Sequence, residues 1–317
     1  MEILEVIQPG PLTTIQDLGR YGYQQYGVPP SGALDNFAFR VGNLLVGNDE
    51  SAASLEITLF GCRVRALQET AVAVTGADLG ATLNGNPLPT WQTVAVHSGD
   101  VISFPHLNSG CRAYLALTGG LEVPLVMGSA ATYVRAGIGG LEGRPLRRGD
   151  ILHAAAAAPM GRKIRVPKEY LPVYGSQLEL RVILGPQDNY FTKEGINTFL
   201  HSDYAVSAQS DRMGYRLDGP PIRHKSKADI ISDGIPSGAV QVPGDGRPIV
   251  LLADRQTTGG YIKIATVISA DISKIAQAMP GTRVRFRPVS EDEAGAALRE
   301  YERTIGDIRC LLRDIDH

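Results

Sequence analysis

The sequence predicts a mainly β protein with a few helices, arranged as two tandem β-barrel domains. Three observations carry this. The 317-residue chain is long enough for two domains and contains 36 glycines and 20 prolines, many for a helical protein. Its Val/Ile/Leu runs are short and bounded by turn signals, the pattern of barrels and sandwiches. Two short patterns also recur in the same order. Arg20-Tyr21-Gly22-Tyr23 resembles Arg212-Met213-Gly214-Tyr215, and Pro30-Ser31-Gly32-Ala33 matches Pro236-Ser237-Gly238-Ala239. A repeat of this kind implies two copies of one β-rich unit.

Residues 1–7 alternate loosely and read as a strand, closed by Pro9-Gly10-Pro11. Residues 13–23 are polar and glycine-rich, and 29–33 form a turn. Phe37, Val41, Leu44 and Leu45 give one apolar helical stripe, with Asp35 as N-cap and Gly47 as stop. Strand-like runs follow at 55–59, 71–75, 94–96, 101–104 and 113–117, with a turn at Asn84-Gly85-Asn86-Pro87. Gly137, Gly139, Gly140 and Gly143 lack dinucleotide-fingerprint spacing and the lysine of a phosphate loop. They read as a flexible connection, with phosphate binding as the lesser alternative. Residues 154–158, then Pro159, Pro167 and Pro172, shift the composition and mark a domain boundary. The expected domains are 1–160, an N-terminal barrel, and 175–317, a C-terminal barrel with the terminal helix.

In the second half, 178–184 reads as a strand, and a helix carrying Tyr190, Phe191, Ile196 and Phe199 follows Gly185-Pro186-Gln187-Asp188. Residues 271–279 form a short helix before Pro280-Gly281. The tail is the clearest helix. Ser290 and Glu293 make a capping box, and Ala294, Leu298, Tyr301, Ile305, Ile308, Leu312 and Ile315 form a narrow seam. That seam fits packing on the chain's own barrel and packing on another chain equally well.

The chemistry concentrates between two apolar runs, 249–253 and 261–268. The intervening loop is Asp254-Arg255-Gln256-Thr257-Thr258-Gly259-Gly260. It has more polar groups than a turn requires, and it ends in glycines that admit close approach or positive φ. Asp254, Asp188 and Lys263 are the candidate catalytic residues. Gln187, Arg212, Gln241, Gln256, Thr257, Thr258, Gly259 and Gly260 are candidate substrate-binding residues. The carboxylates suit base or orienting roles, Lys263 and Arg212 suit carboxylate or phosphate, and the glycine N–H groups suit an oxyanion. The repeat adds Gln16, Asp17, Arg20, Ser31 and Asp35 as second-domain candidates. For Arg20 and Arg212, binding a ligand and tying down their own glycine-rich turns stay open alternatives.

A net charge of −2 gives no electrostatic case for nucleic acid or anionic membrane. No apolar run reaches the length of a membrane span, and the N-terminus does not read as a secretory signal. Cys62, Cys111 and Cys310 are isolated and odd in number, which favours a reducing cytoplasm over a disulfide framework. The six histidines show no metal-binding spacing, so no metal site is expected.

These segments resemble a known family. The residues that carry the resemblance are 13–20, 31–35, 44–48, Ser210-Asp211-Arg212-Met213-Gly214-Tyr215 and nearly all of 232–265. The most specific run is 254–261. The chain resembles the KipA family, also described as the C subunit of 5-oxoprolinase or the second subunit of allophanate hydrolase. It is also similar to the second half of the carboxyltransferase region of urea carboxylase. Gly244-Asp245 departs from the usual pattern, in a turn. The resemblance implies cyclophilin-like barrels, a KipI-like partner (the B subunit of 5-oxoprolinase) and a third component. Together these would use ATP, bound by or shared with a partner, to open 5-oxoproline to glutamate. The chain would be active only within that assembly. Two alternatives come with the resemblance. One is a carboxyltransferase component using carboxybiotin, and the other is a KipI-binding regulator without catalysis.

Overall fold

The computed structural model describes residues 1–157 and 163–314. Ala158 and Pro159 of the expected boundary, and Ile315 of the helical seam, lie outside the described residues. The protein is mainly β with a few helices, as the turn-rich composition implies. It divides into two compact units. Unit 1 holds residues 1–20, 31–174 and the chain from 303 on, and unit 2 holds 21–30 and 175–302. The terminal helix, expected in the second domain, is thus divided between them.

Unit 1 contains a seven-stranded and a five-stranded sheet. Strands Glu2–Pro9, Cys62–Ala66 and Val101–Ser103 lie in the first, and Leu12–Gln16, Ser54–Thr58, Ser109–Leu117 and Thr70–Asp78 in the second. The period-2 rule of strands explains the packing. Val72, Val74, Leu115 and Leu117 join a core shared with Ile3, Leu4, Val6, Val64 and Ile102 of the first sheet. The alternate residues Ala73, Tyr114 and Ala116 pack on the other side, against Phe39, Val41 and Leu45 of the helix Asn36–Leu45. The five-stranded sheet is therefore covered on both faces, which is why its central strands read as unbroken apolar runs. Asp35 caps the helix, its carboxylate accepting from the Ala38 N–H at 3.1 Å.

Three expectations change in this unit. Leu12–Gln16 is a strand within the polar stretch 13–23, and Thr13 and the Gln16 amide nitrogen find hydrogen-bond partners inside the fold. The Thr13 hydroxyl donates to the Pro9 carbonyl at 2.6 Å, and the Gln16 amide donates to the Thr14 hydroxyl at 2.9 Å. Cys62–Ala66 is a further strand, with no continuous apolar run to mark it; its arginines alternate outward between buried Cys62, Val64 and Ala66. The glycine cluster 137–143 is a packed turn rather than a flexible connection. Gly139, Gly140 and Gly143 have positive φ, and a Cβ on any of them would collide with Ala131, Thr132 or Gly137.

In unit 2 a closed ring forms. Its order is Gln177–Leu184, Arg283–Pro288, Tyr204–Val206, Gly214–Asp218, Ile249–Leu251, Ala239–Val242 and Thr258–Val267, which returns to Gln177–Leu184. The strand Asp229–Gly234 adds to Thr258–Val267 outside the ring. The expected helix after Asp188 begins later, at Lys193–His201. Thr192 caps it by accepting from the Gly195 N–H at 3.0 Å. The terminal helix Glu291–Asp314 has the expected capping box: Glu293 N–H donates to Ser290 Oγ at 3.2 Å and Ser290 N–H to Glu293 Oε2 at 2.7 Å. Ile308 and Leu312 of its second half join the helical core of unit 1.

Asp271 pins this barrel's first strand. It is fully buried and accepts from Arg181 Nε and Nη2, at 3.0 and 2.7 Å, the Arg181 backbone N–H at 2.9 Å and the Lys274 ammonium at 2.8 Å. Burial alone would raise its pKa, but these donors outweigh that and hold it below the usual 3.8. A depressed carboxylate stabilises the fold above its unfolded pKa, and that contribution fades as pH falls through the folded value. Asp271→Asn should therefore cost about 3 kcal/mol at neutral pH. The deficit relative to the unmutated chain should shrink below pH 3.8 in denaturation curves taken across pH.

Candidate functional site

The charged and amide side chains singled out in unit 2 fall into two clusters on the strands and loops around Thr258–Val267. The first begins where Ile249–Leu251 ends. Leu252 N–H bonds the Met213 carbonyl at 2.8 Å and Asp254 N–H bonds the Arg212 carbonyl at 3.0 Å, which lays the two segments side by side. Their side chains then meet as a fork. Arg212 Nε lies 2.9 Å from Asp254 Oδ2, and Nη2 lies 3.2 Å from Oδ1. Both residues are buried. Two parallel charge-assisted bonds fix the plane of both groups.

Arg255, next in sequence, is also buried, but it faces backbone rather than a carboxylate. Its Nε donates to the Ile235 carbonyl at 2.9 Å and its Nη1 to the Leu252 carbonyl at 3.1 Å. Burial pulls its pKa down from the usual arginine value. Arg255 is not among the residues that the sequence marks as candidates. Its position inside the most specific run is the one signal for it.

The second cluster is built from amides and one lysine. Gln241 and Lys263 are cross-strand partners. Gln241 is 1% exposed, and its Nε2 has no hydrogen-bond partner among the described residues. Its Oε1 accepts from Gln256 Nε2 at 3.4 Å. Lys263 is also 1% exposed. Its N–H donates to Gln187 Oε1 at 2.9 Å, and its ammonium donates to Asp233 Oδ2 at 3.0 Å. Gln187 Nε2 donates to the same Asp233 oxygen at 3.2 Å. The Lys263 hydrogen bond, with help from the Gly234 N–H, holds the Asp233 carboxyl below its ordinary range. Asp233 is not a sequence candidate either. It lies thirty residues from Lys263, and only the pairing of Asp229–Gly234 with Thr258–Val267 brings them together.

The remaining candidates are placed as follows. Asp188 is half-buried in the turn Asp188–Tyr190, and its carboxylate makes no hydrogen bond among the described residues. Thr257 is half-buried, and its carbonyl accepts from the Ile235 N–H at 3.0 Å. Thr258, Gly259 and Gly260 open the strand Thr258–Val267, so the expected loop is shorter than 254–260. Neither glycine has positive φ. What they provide is room: a Cβ on Gly259 would lie 2.7 Å from Ile235 Cδ1, and one on Gly260 3.1 Å from the Ile230 carbonyl.

The second-domain candidates lie in unit 1, where Gln16 Oε1 and Ser31 Oγ are buried without a hydrogen-bond partner among the described residues. Asp17 accepts from Ser129 Oγ at 2.7 Å, Ala130 N–H at 2.6 Å and Gly19 N–H at 2.7 Å. Arg20 donates to the carbonyls of Val126 and Ala131, 106 and 111 residues further along the chain. Gln16 bonds the Thr132 carbonyl at 3.2 Å. Asp35 is the helix cap and also accepts from the Tyr174 hydroxyl at 3.0 Å. Ser31 is buried at a left-handed φ of 55°. Among the described residues no group of three metal-binding side chains occurs, and no helix is long and apolar enough to cross a membrane.

A family description, carboxyltransferase domain, subdomain A and B, matches residues 26–288. The chain belongs to this family. It is 40% identical to the C subunit of 5-oxoprolinase from Escherichia coli, over 95% of this chain and 96% of that one. It is 34% identical to the C subunit of 5-oxoprolinase from Haemophilus influenzae, over 98% and 99%. The crystal structure of Kluyveromyces lactis urea carboxylase superposes with a TM-score of 0.92 at 31% identity. That match covers 97% of this chain but 29% of the larger protein.

The Arg212–Asp254 fork makes a stability prediction. Asp254→Asn leaves a buried guanidinium without its carboxylate and should cost about 3–5 kcal/mol in chemical denaturation. The double variant Arg212→Met with Asp254→Leu should recover much of that loss, because it removes both charges together.

Proposed function

We propose that this chain is the C subunit of a 5-oxoprolinase. It would act with a KipI-like protein, a third component and ATP to open the lactam of 5-oxoproline to glutamate. The observation that carries this reading is the end-to-end match to two proteins named as that subunit. The chemistry of the amide cluster supports it. A five-membered lactam has a cis amide, with its N–H and C=O on one edge. A carboxamide side chain offers the complementary pair, one donor and one acceptor. Gln241, buried with an unpartnered amide nitrogen among the described residues and backed by Gln256, is suited to grip such an edge. A polar atom buried without a partner costs free energy, and a substrate carbonyl would satisfy it.

The other residues then take supporting roles. Asp254 has both oxygens on Arg212, so it holds the loop rather than acting as a general base. Asp188, with its carboxylate available beside Gln187, is the better base candidate. ATP would supply activation of the lactam oxygen. Arg212 and Arg255 are each already engaged, by Asp254 and by backbone carbonyls, and the glycine pair is faced at close range. In this reading the nucleotide is bound by, or shared with, a partner protein. The three cysteines are all without disulfide partners, which supports a cytoplasmic location.

The urea carboxylase match supports a second reading, a carboxyltransferase acting on carboxybiotin. The biotin ureido ring also presents a cyclic cis amide, and Gln241 would face it in the same way.

Reconstitution separates the two. The chain with both partners and ATP should convert 5-oxoproline to glutamate, and the chain alone should be nearly inactive. Gln241→Leu in the folded complex should lower kcat/KM by about 10- to 100-fold, the worth of one buried hydrogen bond to substrate. Full activity in that variant would remove Gln241 from the site. Carboxylation of urea with a biotinylated carrier, and no lactam opening, would favour the second reading.

A further inference from the structure

We propose that Lys263 and Gln187 form a carboxylate subsite and that Asp233 occupies it as a stand-in for the substrate's own carboxylate. This rests on the lactam-opening reading above and deepens it, because 5-oxoproline carries one carboxylate beside the ring nitrogen.

Lys263 and its counter-ion are unequally buried. Lys263 is 1% exposed and sits in a strand of the closed ring, hydrogen-bonded to strands on both sides. The Asp233 side chain is 55% exposed. A buried ammonium needs a partner, and in a purely structural pair that partner is ordinarily buried with it. Here it arrives from Asp229–Gly234, a strand outside the ring whose six residues are all exposed or half-exposed. Ile231 on this strand is 95% exposed, so no apolar packing anchors it there. Its pairing with Thr258–Val267 also slips register between Asp229 and Asp233. The ring strand is paired on both edges, whereas the arm is an edge strand paired on one side with its side chains largely in solvent.

The contacts themselves describe a receptor. One Asp233 oxygen takes the Lys263 ammonium at 3.0 Å and the Gln187 amide N–H at 3.2 Å. Both donors belong to the barrel and its adjoining loop, and Gln187 is fixed in turn by the Lys263 N–H at 2.9 Å. Any small carboxylate could take the same two donors once the arm moves aside. Gln241, the cross-strand partner of Lys263, then offers its amide to the lactam edge. Lys263 therefore selects for a charged lactam, and Asp233 keeps the ammonium paired when no substrate is present.

Intramolecular competition weakens apparent affinity by the fraction of time the subsite is open. Removing Asp233 should thus strengthen carboxylate binding, the opposite of removing a structural partner. The test is NMR titration of the isotope-labelled full chain, reading the Lys263 ammonium and the Gln187 and Gln241 amides. The probes are 5-oxoproline, 2-pyrrolidinone (the same lactam without a carboxylate) and acetate. Asp233→Ala and the isosteric Asp233→Asn should bind 5-oxoproline and acetate at least about fivefold more tightly than the unmutated chain. Binding of 2-pyrrolidinone should not change. Lys263→Met should abolish the preference for 5-oxoproline over 2-pyrrolidinone. Unchanged or weaker carboxylate binding in both Asp233 variants overturns the proposal, as does a preference that survives Lys263→Met. Acetate reports the subsite without reference to lactam chemistry, so a gain there stands even if the reconstituted complex fails to open 5-oxoproline. Conversely, lactam opening that is indifferent to these variants sinks the subsite and leaves the functional reading intact.

Discussion

The strand Thr258–Val267 is the constraint on which the second unit depends. It hydrogen-bonds to Gln177–Leu184, Ala239–Val242 and Asp229–Gly234, so it both closes the ring and carries the outer arm. A strand with neighbours on both edges has little freedom to slide, since a one-residue slip would invert every side chain. Ile262 and Ile264 are fully buried, and Lys263 between them is buried as well. A lysine at that position is tolerable only because an anionic or polar partner meets its ammonium. The site's chemistry follows from how the ring was closed.

Much of this is legible in the sequence, and the reasons for the gaps are physical. The helix Asn36–Leu45 and the capped terminal helix are readable because cap and apolar period agree locally. The polar run after Ile249–Leu251 is readable because its donors and acceptors exceed the needs of a turn. Asp233 is not, since its meeting with Lys263 depends on the pairing of Asp229–Gly234 with Thr258–Val267, a long-range contact that no local pattern encodes. Arg255 escapes notice because a buried guanidinium solvated by backbone carbonyls looks, in sequence, like any surface arginine. The paired glycines suggest an opening for a ligand, whereas Ile235 and the Ile230 carbonyl already occupy the space a Cβ would fill. Glycine marks close approach, but it does not say what approaches.

Unit 1 shows why polar residues in a family motif divide into two kinds. Glu56 is buried, and its Oε2 accepts from the Leu34 N–H at 2.9 Å and the Tyr114 hydroxyl at 2.8 Å. The Tyr114 oxygen in turn accepts from the Asp35 N–H at 2.8 Å. Burial, then the charges of Glu56 and Asp35, push the Tyr114 pKa well above its ordinary value, so the phenol stays a donor. Asp35, Glu56 and Tyr114 thereby fix the turn that launches the helix. Their hydrogen-bonding capacity goes into one conformation, and buried networks of this kind specify structure.

Unit 2 holds a closed pair and an open cluster. The Arg212–Asp254 fork is closed in the manner of the Glu56 network, each group facing the other within a buried pair. The amide cluster is not. Gln241 keeps a buried nitrogen with nothing to donate to among the described residues, and Lys263 is neutralised by a carboxylate that remains half in solvent. A fold maintained only for stability would be expected to fill the Gln241 position with an apolar side chain of similar size, at little or no cost. Retaining an unsatisfied donor and a solvent-facing counter-ion, side by side on one strand pair, is understandable where a ligand completes both. This is the ground for proposing the amide–lysine cluster, rather than the better-ordered arginine fork, as the part of the barrel that meets substrate.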